Sequence, residues 1–240
     1  MKYKQPILPC KFIFVALLLC AFTPLQAGEI LVKVGNETIE FSEPKGFHEV
    51  TRISEQQKSI FESFTPPDQR LLGVFFTEDD IGRVLKNEAP MLQRYVILKV
   101  LRKREKTGIN EIDFGRLKIY AKDNFDATGN SLSARLAEQF SKSSNDLSEL
   151  NGVIQQINVD QIVPLGYFSE TDHSLSSATF GRYTYSNSEA QGSYVLAFSS
   201  TFVYLQNKML NLDIYSQYSN ASDIEWLREF TIEMTQEYEK

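Results

Sequence analysis

The chain has 240 residues, a formal net charge of −6, two cysteines and two histidines. An acidic surface repels phosphate backbones, so the balance of charge excludes nucleic acid as a partner and disfavours an anionic membrane surface. Zinc sites draw three or four ligands chiefly from Cys and His. That supply is missing here, as are a phosphate loop, a dinucleotide glycine fingerprint and a Gly-x-Ser-x-Gly elbow, and no cofactor is expected.

The first residues carry Lys2, Lys4 and Lys11, then an unbroken apolar run from Phe12 to Phe22, which Pro24 closes. A basic start, an apolar stretch of about 7–15 residues and a small residue at the end form the pattern of a secretory signal peptide. An uncleaved anchor is the alternative, but a spanning helix needs about 20 apolar residues. A lipoprotein is disfavoured because Leu19, not a small residue, precedes Cys20. Cleavage is expected between Ala27 and Gly28, with Leu25 bulky for its place two residues earlier. The chain is therefore expected to divide into a signal peptide at 1–27 and one domain at 28–240, exported to a periplasm or secreted, with no stable membrane insertion after cleavage. Removing 27 of 240 residues leaves 213, a length that suits one domain. It also removes both cysteines, three lysines and no acid, which moves the net charge from −6 to −9. The remaining domain has no disulfide and rests on packing.

In chain order, Ile30–Val34 and Thr38–Phe41 read as strands joined at Gly35-Asn36. Ser54 to Phe64 reads as a short helix closed by Pro66-Pro67. Arg70–Thr77 is a buried strand, and Thr77 caps a helix running to Leu85. Gln93–Leu101 is rich in strand-favouring residues. A helix from Asn110 to about Lys122 is expected to bury Ile109, Ile112, Leu117, Tyr120 and Ala121. A further helix carries Leu132, Leu136, Phe140, Leu147 and Leu150, with Gly152 as its stop.

The remainder reads as antiparallel strands at Gln161–Phe168, Ala178–Tyr185, Tyr194–Leu205 and Met209–Tyr218, the last pair joined by Gln206-Asn207-Lys208. A final amphipathic helix carries Ile224, Leu227, Phe230, Met234 and Tyr238, with Ser222 and Glu225 spaced as a capping box. The class is α+β: one largely antiparallel sheet flanked by helices, an α/β/α sandwich. The late hairpin through Leu205-Gln-Asn-Lys-Met-Leu-Asn-Leu-Asp-Ile-Tyr and the Ser222-Asp-Ile-Glu-Trp226-Leu helix start resemble PsbP-like and DcrB-like exported domains over about residues 68–238. That resemblance implies a helix-flanked antiparallel sheet and an accessory, chaperone-like or adaptor role, and it transfers no catalytic residue.

Several short patterns have chemistry in them and are better read as structure. His48 and His173 adjoin turns and read as solvated positions. Asn124-x-Asp126-x-Thr128-Gly129 copies half a calcium loop, but position 12 is Arg135 where a bidentate glutamate belongs. Glu78-Asp79-Asp80 suits the first turn of a helix, where its dipole favours acids. Asp172-His173-Ser174 are consecutive and cannot form a relay. Lys99, Arg102, Lys103, Arg104 and Lys106 read as a solvated strand end that an acidic partner could also use.

Tyrosine concentrates in the late strands, at Tyr183, Tyr185, Tyr194, Tyr204, Tyr215 and Tyr218. Such rings supply interface anchors or lie under helices. Taken together, these features point to a non-enzymatic accessory or binding module with a protein partner and an interface at Arg182, Tyr183 and Tyr185. The alternative is an exported hydrolase whose carboxylates converge from distant positions.

Overall fold

A computed structural model of the chain describes residues 28–125, 156–186 and 191–239. The N-terminal segment through Ala27, both cysteines and the helix expected around Leu132 to Leu150 lie outside the described residues.

Strands β1 (Glu29–Val34) and β2 (Glu37–Ser42) form a separate antiparallel hairpin. Alternation places Ile30, Val32, Val34, Ile39 and Phe41 on one buried side. The turn glycine Gly35 has φ +63°, and a Cβ there would sit 2.3 Å from the Glu105 carbonyl oxygen. Both conformation and close approach therefore demand glycine.

The larger sheet contains β3 (Phe47–Glu49), β4 (Gln69–Thr77), β5 (Arg94–Leu101), β6 (Gln156–Glu170), β7 (Ser174–Ser186), β8 (Gln191–Leu205) and β9 (Lys208–Gln217). Its order is β3-β4-β5-β9-β8-β7-β6, with every neighbouring pair antiparallel. The class is the α+β arrangement expected from the sequence. Helices α1 (Glu55–Ser63), α2 (Glu78–Leu85) and α3 (Glu111–Asp123) cover one face. The other face lies under α4 (Ala221–Gln236) together with the β1–β2 hairpin.

Several local expectations are corrected. The three-residue β3 is too short to register as an alternating pattern. Lys208 belongs to β9, because Gln206 and Asn207 alone make the turn, at φ 49° and 61°. Both residues adopt the left-handed conformation that a two-residue hairpin requires. The capping box of α4 uses Asn220 and Asp223, not Ser222 and Glu225: Asn220 accepts from Ser222 N at 2.9 Å, and Asp223 accepts from Asn220 N at 3.1 Å. In α3 the buried residues are Phe114 and Lys118, while Ile112 and Tyr120 face outward.

Charge in this core is paired. Lys208 is 2% exposed, and its ammonium lies 3.0 Å from Glu37 Oε1 of β2 and donates to the Glu105 carbonyl at 3.1 Å. One side chain thus joins β9, the hairpin and the segment after β5. Lys99, expected at a solvated strand end, is instead largely enclosed and paired with Asp213, which also accepts a hydrogen bond from Ser200 Oγ at 2.7 Å.

Thr77 does cap α2: its hydroxyl accepts from Asp80 N. Asp80 is buried, and its carboxylate accepts from the backbone N–H of Met91 at 2.6 Å and Leu92 at 3.3 Å. Leu92 sits at φ 52°, a conformation bulky residues rarely adopt, and this carboxylate holds it.

Helix α4 buries Leu227, Thr231, Met234 and Thr235. Phe230 is half-buried, stacked on Trp226 at 5.0 Å and against Phe47 at 5.2 Å. Leu227 is therefore the sharper probe of this layer. Leu227→Ala is expected to lower stability by about 2–5 kcal/mol in denaturant unfolding. A change under about 0.5 kcal/mol, the surface range, would show that α4 does not close the core.

Candidate functional site

The late strands present two different surfaces, because alternate residues of a strand face opposite sides. On the side of α1, aromatic rings cross four strands. Tyr95 of β5 lies parallel to Tyr215 of β9, with centroids 4.6 Å apart and planes at 7°. Phe61 of α1 meets Tyr95 edge-on at 5.7 Å, and Phe198 of β8 stacks on Tyr215 at 5.5 Å. Tyr183 and Tyr194 stack at 5.4 Å, and Tyr185 leans on Tyr194 at 6.2 Å.

Two glycines make room for this layer. A Cβ on Gly181 would lie 2.6 Å from the Tyr183 ring, and one on Gly192 would lie 2.7 Å from the Tyr185 hydroxyl. Each ring therefore lies flat over a bare backbone position, as aromatics do over strand glycines.

Burial pushes the phenols of Tyr95, Tyr183, Tyr194 and Tyr215 above their ordinary value. Asp213 adds to it on Tyr95 and Tyr215, and each neighbouring phenol would add to it once ionised. Proton release from any one phenol would place a charge among the others, so this layer holds its protons.

On the opposite side the surface is open. Gln161 and Val163 of β6, Phe180 and Arg182 of β7, Val195 of β8 and Tyr218 line a shallow depression of about 220 Å³. Val163 is 39% exposed. Phe180 and Tyr218 meet edge-on at 4.8 Å and form its floor. Phe180 and Tyr218 pack against the edge of the core under α4, while Gln161, Val163 and Arg182 stay exposed among the described residues. Arg182 is the one charged side chain in the lining, exposed, with no carboxylate within 4 Å among the described residues. A planar guanidinium beside apolar walls suits a carboxylate carried next to an apolar group.

The three interface residues expected from sequence are thus distributed over both surfaces. Arg182 lies in the open depression. Tyr183 is 2% exposed on the helix side, and Tyr185 is half-buried beside it. Gln161, Val163 and Val195 were missed; they come from strands distant in sequence and share only the alternation parity of Arg182.

The remaining motifs resolve as local structure. His48 is exposed on β3, its Nδ1 3.8 Å from Glu43. His173 is half-buried with its ring against Tyr204, and Ser174 Oγ bonds to Thr171 at 2.8 Å in the β6–β7 turn. Asn124 donates to the Tyr120 carbonyl at the end of α3, and the loop from Asp126 lies outside the described residues. Among the described residues, no three His, Cys, Asp or Glu side chains are placed to hold a metal ion, and no helix is long and apolar enough to cross a membrane.

No family model and no curated protein matches the chain. Among solved structures, a point mutant of the protein Mog1 is similar at 12% identity and a TM-score of 0.36, covering 88% of this chain and 93% of that one. The Saccharomyces cerevisiae Ran-binding protein Mog1p is similar at 14% identity and a TM-score of 0.33, covering 89% and 93%. The expected resemblance to PsbP-like and DcrB-like domains is withdrawn: the comparisons show none. A late hairpin followed by a covering helix closes many antiparallel sheets and carries no family signature. The exported, periplasmic or secreted address expected from the sequence is likewise withdrawn, as these matches lend it no support.

The phenol layer gives a pH signature with a definite sign. A folded-state pKa raised above the unfolded value near 10 contributes stability that is complete below about pH 10 and lost as pH rises through the folded values. Ultraviolet titration is expected to show Tyr95, Tyr183, Tyr194 and Tyr215 ionising only as the fold is lost. Reversible ionisation of every tyrosine near pH 10, with circular dichroism unchanged, would contradict this.

Proposed function

We propose that the chain is a non-enzymatic binding module whose partner is a protein, engaged at the depression around Arg182. One observation carries this reading: an open apolar depression in which the single charged group is an exposed guanidinium without a carboxylate partner among the described residues. Such a lining recognises an apolar side chain next to a carboxylate and contains no carboxylate or imidazole.

Three buried carboxylates speak against the alternative of a carboxylate-based hydrolase, because each is already engaged. Glu49 is held by Thr51 Oγ1 and Arg52, Asp80 by two backbone N–H groups, and Asp213 by Lys99 and Ser200. Burial raises the Glu49 carboxyl, but its ion pair with Arg52 places it at a structural corner of β3.

The test uses fluorescence anisotropy with a panel of labelled peptides pairing leucine or phenylalanine with an adjacent aspartate. Arg182→Glu and Val163→Asp are each expected to weaken binding tenfold or more, about 1.4 kcal/mol, with an unchanged melting temperature. Equal binding by both variants, or no binding by any such peptide, would overturn the reading.

A further inference from the structure

Exposed cations gather at one end of the large sheet. Lys33 comes from β1, and Arg102, Lys103, Arg104 and Lys106 come from the segment after β5. None of them is paired with a carboxylate among the described residues. Lys99, close to them in sequence, is already held by Asp213 and takes no part.

The backbone beneath these side chains is pinned. Arg102–Arg104 forms one 3₁₀ turn. The Arg102 backbone N–H donates to the Asp68 carbonyl at 2.9 Å, and its Nε donates to the Pro67 carbonyl at 3.2 Å. Glu105, the one acid of the run, is engaged inward. Its carboxylate lies 3.0 Å from Arg70 Nε, and its carbonyl accepts from Lys208 at 3.1 Å. Arg70 also donates to the Lys33 carbonyl at 2.7 Å, which sets β1 beside the segment. Beyond Lys106, the Ile109 N–H donates to the Asn207 carbonyl at 2.9 Å. The acid and these backbone groups are therefore satisfied within the fold, and the segment offers its cations outward.

We infer that this end of the sheet is a second binding surface, and that its partner is a short acidic segment of another protein. Charge selects that partner. The chain as a whole is acidic, at −6. Exposed charges farther away than about 8 Å are largely screened at physiological ionic strength. A short segment rich in Asp and Glu thus meets only the local excess of cations. An extended polyanion, such as nucleic acid or a charged bilayer, spreads past the patch and meets the acidic remainder. Glu37 and Asp68 border the patch and limit its width, and Glu37 is already paired with Lys208. The arginine forks suit carboxylates, with the lysines as point charges around them. Strand β8 sets Val195 beside Arg182 and Leu205 beside Lys208. At about 3.3 Å per residue, the depression and this patch lie about 30 Å apart along the strand, so each binds independently of the other.

Fluorescence anisotropy on the full chain with a labelled glutamate-rich peptide tests this. Binding is expected, and it should weaken as salt is raised. Lys103→Glu with Arg104→Glu should weaken it tenfold or more at an unchanged melting temperature. If that pair lowers the melting temperature, Lys33→Glu with Lys106→Glu gives the same reading from the other two lysines. Lys86→Glu with Arg116→Glu changes the net charge equally at distant positions and should leave binding unchanged. Arg182→Glu should leave it unchanged as well, which separates this surface from the depression. Absence of binding, equal weakening by the near and distant charge reversals, or equally tight binding of single-stranded DNA or phosphatidylserine vesicles would each overturn the inference.

Discussion

Strand β9 is buried on both faces from Lys208 to Ile214, and the rest of the structure follows from that constraint. A strand in the middle of a seven-stranded sheet cannot leave either side to water. One side carries Leu210, Leu212 and Ile214 and needs α4 with the β1–β2 hairpin. The other carries Met209, Asn211, Asp213 and Tyr215 beneath the helical layer. Burial on both sides also dictates the partners of the charges in β9. Asp213 takes Lys99 from β5 and Ser200 from β8, and Lys208 takes Glu37 and the Glu105 carbonyl. A buried charge without its counterion is strongly destabilising, so these pairs fix register and docking even where their net contribution is small.

Most of the fold was legible because hydrophobic periodicity is local. The hairpin at Gly35-Asn36, the strands at Arg70–Thr77 and Gln93–Leu101, and the late antiparallel run all alternate as half-buried strands do. Alternation also told which residues share a side without telling which side is covered. Long-range contacts therefore decided the details that sequence misplaced. Lys99 read as solvated because lysine usually is, and Lys208 read as part of a turn, yet each has a distant acid that only the sheet brings near. The inward face of α3 was misassigned because Phe114 and Lys118 do the packing, and a buried lysine stem looks polar in a helical wheel.

The same reasoning explains the candidate site. Tyrosine enrichment was visible, but enrichment does not distinguish a core layer from an interface. Glycines at 181 and 192 were the local signal that rings at 183 and 185 lie over bare backbone rather than project outward. Arg182 was legible as a residue of opposite parity to Tyr183. Its neighbours Gln161, Val163 and Val195 come together only through strand pairing, in which Gln161 faces Arg182 and Arg182 faces Val195.

The carboxylate of Asp80 ties the loop from Lys86 to Gln93 to α2 through the amides of Met91 and Leu92. Because the same residue closes the first turn of the helix with Thr77, helix and loop share one set of hydrogen bonds. Their opening motions are therefore not separable. Native-state amide exchange would find α2 and the loop leaving the fold as one cooperative unit, ahead of the strands beneath them.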